Sequence, residues 1–348
     1  MANLNNSFSR YNQSIKLSDD KRSELLIIRN NLRARISEGY KITSHNSEIN
    51  GQLEFQSQGS FVMDTIIKPI HDDYDLDDGI YFIGNLLRHQ RPSPALFHKA
   101  IVTAIDRGHD DIEKINDKAT CVRVRYKKGF HIDLPIYYAS NYNSPDLAHK
   151  DDGWILSNPI EFINWFELKA NSGFKKEYLY ESRIYSAEYD KWLSDIRKKD
   201  VQLRRIVRYL KSWGDLRREE MPCGLVMTIL ATNNYYSHES DAISLKETLV
   251  NIRRALNIKF ECLRPTTPEG EDLLKGYENK QAFMTYLTNF INDATAALME
   301  EDPYKACGHW QRSLGDRFQC FDSHEPKQQY DGLISGASNS KPWCKDDK

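Results

Sequence analysis

The sequence predicts an α+β protein, a lobe built on a mixed β-sheet followed by a helical lobe. Three observations carry this. Strand-like alternation is concentrated in the first half, over residues 74–83, 121–126 and 130–138. From Ser157 onward the apolar residues recur at helical spacing instead. The third is a set of aspartates carried on the strands themselves: Asp75 and Asp77 on one, Asp133 on another.

The totals set the frame. At 348 residues the chain holds one large or two ordinary domains, with length enough for a sizeable core. Its 48 Lys and Arg against 50 Asp and Glu leave a formal charge of −2. That balance argues against wrapping of long nucleic acid and against an acidic disordered chain, so any basic site has to be local. No apolar run approaches the length of a membrane span and the N-terminus is not signal-like, which predicts a soluble cytoplasmic protein. The six cysteines have no framework spacing and are expected as reduced thiols. Cys307, His309, Cys320 and His324 could in principle ligate zinc, but no CxxC knuckle supports them.

Taken in order, residues 1–17 are polar and Asn/Ser-rich, and read as a flexible arm. Ser18 precedes a run with acids in its first turn, Leu25, Ile28, Leu32 and Ile36 at helical spacing, and Gly39 as a stop. Arg29, Arg33 and Arg35 fall on its other faces and are expected in solvent. Residues 42–55 are ambiguous between helix and loop, and lead into a Gly59-Ser60 turn. A short helical or extended piece, 62–66, ends at Pro69. The strand over 74–83 follows, then an amphipathic helix over 94–106 with Leu96, Ile101 and Ile105 inward. Lys127-Lys128-Gly129 joins 121–126 to 130–138 as a hairpin. Beyond it lie a helix at 157–167, a long one over 189–213, and four more at 222–232, 241–256, 280–300 and 303–314. In 189–213, Leu203, Ile206, Val207, Leu210 and Trp213 form an apolar stripe, with Arg204, Arg205, Arg208 and Lys211 around it mostly solvated. The expected divisions are an arm at 1–17, the sheet lobe at 18–198, the helical lobe at 199–324 and a flexible tail at 325–348.

The chemistry lies in the aspartates. Side chains two apart on a strand share a face, so Asp75 and Asp77 project into one space. In the later strand Phe130, Ile132 and Leu134 alternate with His131 and Asp133, which turns Asp133 away from the core. Carboxylates held together repel, and a hard divalent ion with oxygen preference relieves the repulsion. Gly59 permits close backbone approach, and the Ser60 hydroxyl with nearby N–H groups is suited to a phosphate. Singly, a DxD or a Gly-Ser pair is more often a solvated loop or a turn. Their order along the chain gives them meaning.

That order, Gly59-Ser60, then Asp75-Leu76-Asp77, then Asp133 within HIDLP, resembles the polymerase-β-type nucleotidyltransferases. Within these, QGSFVMDTIIKP, DLDDGIYF, HIDLPIYY, QLRRIVRYLKSW and SNPIEFINWF are similar to the bacterial cGAS/DncV-like nucleotidyltransferases, of the type of the DncV cyclic GMP–AMP synthases, over roughly residues 18–320. The resemblance implies a bilobal fold with a nucleotidyltransferase core, a helical second lobe and a long N-terminal helix bracing both. It implies an enzyme joining ATP and GTP into a cyclic dinucleotide with Mg²⁺ or Mn²⁺, for a downstream effector, alongside accessory proteins, in CBASS anti-phage defence. Asp75, Asp77 and Asp133 fall on the catalytic, metal-binding acids, Ser60 on a phosphate-contacting serine, Gln58 and Gly59 beside it, and Lys211 on a basic residue that reaches phosphate. Two departures stand out: after Pro222, Cys223-Gly224 stands where that type has a serine pair, and Met63 replaces an aromatic residue. The chain also ends in Lys348 rather than in the glycine of synthases modified by a ubiquitin-like system. The same acids would serve another template-independent nucleotidyltransferase acting on RNA, protein or a small molecule, or remain in a silent nucleotide sensor.

Overall fold

The computed structural model describes residues 2–44, 49, 51–70, 74–106, 111–170 and 186–320. Two helices open the chain, α1 (Asn5–Ile15) and α2 (Asp19–Ser44). The sheet lobe follows: β1 (Gln52–Ser57), the short α3 (Gly59–Val62), β2 (Tyr74–Ile83), α4 (Pro94–Ile105), β3 (Ile112–Asp117), β4 (Val122–Tyr126), β5 (Phe130–Leu134), β6 (Ile136–Ala139), β7 (Asp146–His149) and β8 (Gly153–Leu156). Seven helices complete it: α5 (Pro159–Lys169), α6 (Ser186–Lys199), α7 (Gln202–Asp215), α8 (Gly224–Asn233), α9 (Asp241–Ile258), α10 (Lys280–Met299) and α11 (Pro303–Leu314). The α+β class and the succession of a mixed sheet and helices are as the sequence predicts.

The eight strands form one sheet in the order β3-β4-β5-β2-β6-β7-β8, with β1 antiparallel on β2. β2 is its axis. Tyr74 faces Phe130 and Ile80 faces Ile136, both parallel, so β5 and β6 continue one another along one edge of β2. Pro135 interrupts them because it has no N–H for the ladder, while its carbonyl still accepts from Ile80 N at 2.9 Å. The single strand expected over 130–138 is therefore two.

Among the described residues two large apolar cores result, beside a small cluster of Tyr81, Tyr137 and Leu147. One lies under the sheet, where Leu76, Ile80, Ile132, Leu134 and Ile136 meet Leu25, Leu32 and Ile36 of α2 and Phe97 and Ile101 of α4. The other fills the helical lobe and takes in α1 and α5 together with α6 to α11.

The flexible arm expected at 1–17 is not what the structure holds. α1 buries Phe8, Tyr11 and Ile15, and Phe8 packs edge-on against Tyr209, Trp310 and Phe318 at 5.0–5.6 Å. A helix with three core residues on one face docks, however polar its remainder. Nor does Gly39 stop α2, which runs on to Ser44. A Cβ on Gly39 would lie 2.4 Å from the Ala104 carbonyl oxygen, so this glycine allows α2 and α4 to approach. The ambiguous stretch before Gly59 contains β1, and the long helix over 189–213 is two, broken at Asp200, which has φ 39°.

The arginines expected in solvent are largely internal. Arg29 bonds Ser57, Arg33 holds Asp78, and Arg35 donates to the Ile105 carbonyl. Arg204 pairs with Glu167 through two bonds of 2.8 and 2.6 Å, and both side chains are fully buried. Arg208 is also fully buried, paired with Asp200 and Asp64, while Arg205 pairs with Asp241. Cys307 and Cys320, expected as thiols or zinc ligands, are joined in a disulfide, which removes both from a zinc site; His324 and the tail from 325 lie outside the described residues.

Candidate active site

The site forms where β2 and β5 run side by side. Their parallel register sets Asp75 against His131 and Asp77 against Asp133, so all four polar side chains share the face opposite the core residues Leu76 and Ile132. Period-two alternation in both strands produces this and sets the three expected acids on one face, but Asp77 is not in the group close enough to share a metal ion, where His131 stands instead. Ligand atoms of Asp75, His131 and Asp133 lie within 4.8 Å of one another. His131 Nε2 is 3.1 Å from an Asp75 oxygen. Arg123, the β4 neighbour of Asp133, donates to both of its oxygens at 2.6 Å.

Charge is distributed unevenly among the acids. Burial drives the Asp77 carboxyl well above the usual carboxylate range, and the neighbouring Asp75 and Asp133 push it further; Lys211 and Arg123 offset this only in part. Burial also presses Asp75 upward, but its hydrogen bond to His131, with the charges of His131 and Arg123, holds it below its ordinary value. A buried carboxyl raised by two like charges is the electrostatic condition a divalent cation corrects. The donor set fits one: the carboxylates supply hard oxygens, and an Asp133 carboxylate that accepts two Arg123 bonds retains further lone pairs.

The Gln58–Thr65 segment forms the rim. Gly59 has φ +68°, and a Cβ there would fall 2.1 Å from Asp77 Oδ2, so glycine is required both by conformation and by contact with the acid. Gln58 is buried, its backbone N–H donating to the Asp77 carbonyl at 3.2 Å. Ser60 lines the opening together with Asp75.

Helix α7 supplies the opposite wall. Arg204, Arg208 and Lys211, at helical spacing on one face, reach the carbonyls of Met63, Asp64 and Thr65 at 2.7, 2.5 and 3.3 Å. Lys211 thereby stands over the cleft, its stem against Gly224, and burial lowers its ammonium to about 8 despite the pull of Asp77. Two adjoining hollows of about 430 and 350 Å³ meet here, sharing Ser60, Asp75, Lys211, Cys223 and Gly224. Thus Gln58, Gly59, Ser60, Asp75, Asp77 and Lys211 line one cleft, and Asp133 sits beside Asp77 in the strand register.

Sequence reasoning missed two members. His131 was visible, since it alternates with Asp133 in the same strand. Arg123 was not, because its place beside Asp133 depends on the β4–β5 register.

Comparison with known proteins agrees with this geometry. A family model described as cyclic GMP-AMP synthase DncV-like, nucleotidyltransferase domain, matches residues 53–137, the interval that carries Gln58 to Asp133. A cyclic GMP-AMP synthase of Escherichia coli is 27% identical over 242 residues, covering 60% of this chain and 53% of that protein. A c-di-GMP synthase of Roseivirga ehrenbergii is 24% identical over 258 residues, 70% of this chain and 66% of that protein. The chain thus spans between about half and two thirds of the length of these relatives. Among solved structures, the Vibrio cholerae DncV cyclic AMP-GMP synthase superposes with a TM-score of 0.69 at 16% identity, over 92% of this chain and 98% of that one. The 3′-deoxy GTP-bound form of Escherichia coli DncV gives 0.65 at 20% identity, over 88% and 93%. Residues 53–137 thus match the model of a DncV-like nucleotidyltransferase domain, and the chain has the fold of the solved DncV structures.

Proposed function

We propose that the protein is a nucleotidyltransferase that joins ATP and GTP into a cyclic dinucleotide of the cyclic GMP–AMP kind. The observation that carries this is the meeting of Asp75, Asp77 and Asp133 on one face, at a cleft walled by Gly59-Ser60 and by Lys211. Nucleotidyl transfer needs little covalent help from a protein; it needs charge placed where the triphosphate and the attacking hydroxyl meet. Asp75, Asp77 and Asp133 would hold Mg²⁺ or Mn²⁺, which when bound lowers the pKa of a ribose hydroxyl and neutralises the leaving pyrophosphate. The Lys211 ammonium and the Ser60 hydroxyl hold phosphate oxygens in this reading, and Gly59 keeps the backbone close to them. The adjoining hollows support two nucleotides bound at once, as formation of the first bond requires.

Similarity to the DncV synthases supports the choice of ATP and GTP, and extends the proposal to a cytoplasmic bacterial role in CBASS defence through a nucleotide-activated effector. Among the described residues no helix is long and apolar enough to cross a membrane.

The test is incubation of the pure protein with all four NTPs and Mg²⁺ or Mn²⁺, with products identified by mass spectrometry and nuclease sensitivity. A cyclic purine dinucleotide is expected without primer, and none from a folded Asp75→Asn, Asp77→Asn double variant. Product at the parental rate from that variant would overturn the assignment of the acids. Extension only of an added RNA or protein acceptor would point to a different transferase.

A further inference from the structure

We infer that the site prefers a first-row transition-metal dication to Mg²⁺, because His131 supplies an imidazole ligand beside Asp75 and Asp133. This rests on reading the acids as a metal site. Three observations lead from that reading to the imidazole. The parallel register sets His131 directly against Asp75, on the face that carries Asp77 and Asp133. Its Nε2 stands 3.1 Å from an Asp75 oxygen, and its ligand atom, with those of Asp75 and Asp133, falls within 4.8 Å. Ligands each about 2.0–2.3 Å from one ion stand at most about 4.6 Å apart, so small side-chain adjustments close the set.

Burial and charge point the same way. His131 is only 4% exposed, whereas Asp75 is largely open at 54% of its side chain, so the imidazole forms the inner wall of the set. Asp75, Asp77 and Asp133 together carry three negative charges when ionised, against the Arg123 guanidinium on Asp133 and the Lys211 ammonium near Asp77, so the acids stay in excess. Mg²⁺ asks for oxygen in near-octahedral arrangement and gives up water reluctantly, whereas transition dications accept imidazole and carboxylate together.

Mn²⁺ is the probe, since its unpaired electrons report on directly bound nitrogen. Pulsed electron paramagnetic resonance of the nucleotide-free protein with Mn²⁺ should show nitrogen modulation from a coordinated imidazole. Competition titration should show Mn²⁺ held at least ~10-fold more tightly than Mg²⁺. In His131→Asn the modulation should vanish and Mn²⁺ binding weaken by at least ~10-fold, as loss of a ligand demands, with Mg²⁺ binding altered by no more than about threefold. Mn²⁺ bound by the wild-type protein without nitrogen modulation would overturn the inference and leave the acids standing as a metal site. That measurement decides the matter even where the variant does not fold. Absence of binding by either ion, in the wild-type protein with or without NTP, would instead remove the metal-site reading and this inference with it.

Discussion

Replacing Lys211 with methionine should stabilise the protein while disabling it. Burial lowers the Lys211 ammonium from 10.5 to about 8. At roughly 1.4 kcal/mol per pH unit, keeping it charged at neutral pH costs about 3 kcal/mol of stability. The sign follows from proton counting. Between about 8 and 10.5 the unfolded chain binds more protons than the folded one, so stability rises with pH across that window; below about 8 both states are charged and the penalty is present in full. Methionine fills the stem's place against Gly224 and removes the penalty. It also gives up the contacts to the Thr65 carbonyl and hydroxyl, about 1 kcal/mol, and withdraws a cation from Asp77. The net gain near pH 7 should be about 1–2 kcal/mol, falling away as pH is raised toward about 10. Urea unfolding at the two pH values, without metal or nucleotide, measures it, and the KM for NTP should rise in the same variant. A variant less stable than the parent near pH 7, or a gain that does not shrink with pH, would refute the account of Lys211 as a cation held at a cost.

Gly59→Ala places a side chain at φ +68°, costing about 1–2 kcal/mol, and drives it into Asp77; the melting temperature should fall modestly while NTP turnover falls by ~10²-fold, and parental turnover would count against the close approach. Phe8→Ala should cost about 3–5 kcal/mol in denaturant unfolding, whereas a loss below about 1 kcal/mol would mean that α1 is not docked. Glu167→Gln leaves the buried Arg204 guanidinium without its counter-charge and should cost about 3–5 kcal/mol; a change within about 1 kcal/mol would show the pair to be dispensable.

What the sequence revealed and what it hid divide along the range of the interactions involved. The spacing of Asp75 and Asp77 and the alternation around Asp133 are local, and each was enough to turn the acid toward a common face. The close contact of Gly59 with Asp77, the clasp of Arg123 on Asp133 and the burial of Arg204 against Glu167 all depend on elements distant in the chain. Composition misled where a few residues outweigh many: α1 reads as polar, yet Phe8, Tyr11 and Ile15 on one face decide its position. Gly39 misled for another reason, since a glycine that ends a helix and one that lets two helices touch look alike in sequence. The Cys307–Cys320 pairing had no spacing to announce it.

The grip of α7 on three consecutive carbonyls has a bearing on how this chain can change over generations. Each helical residue turns by about 100° around the axis. One residue inserted or deleted between Arg204 and Lys211 would therefore swing one end of the ladder away from the Met63–Thr65 segment while leaving composition and amphipathic character almost untouched. Substitutions along this helix can be judged one at a time, but its length between those residues cannot drift.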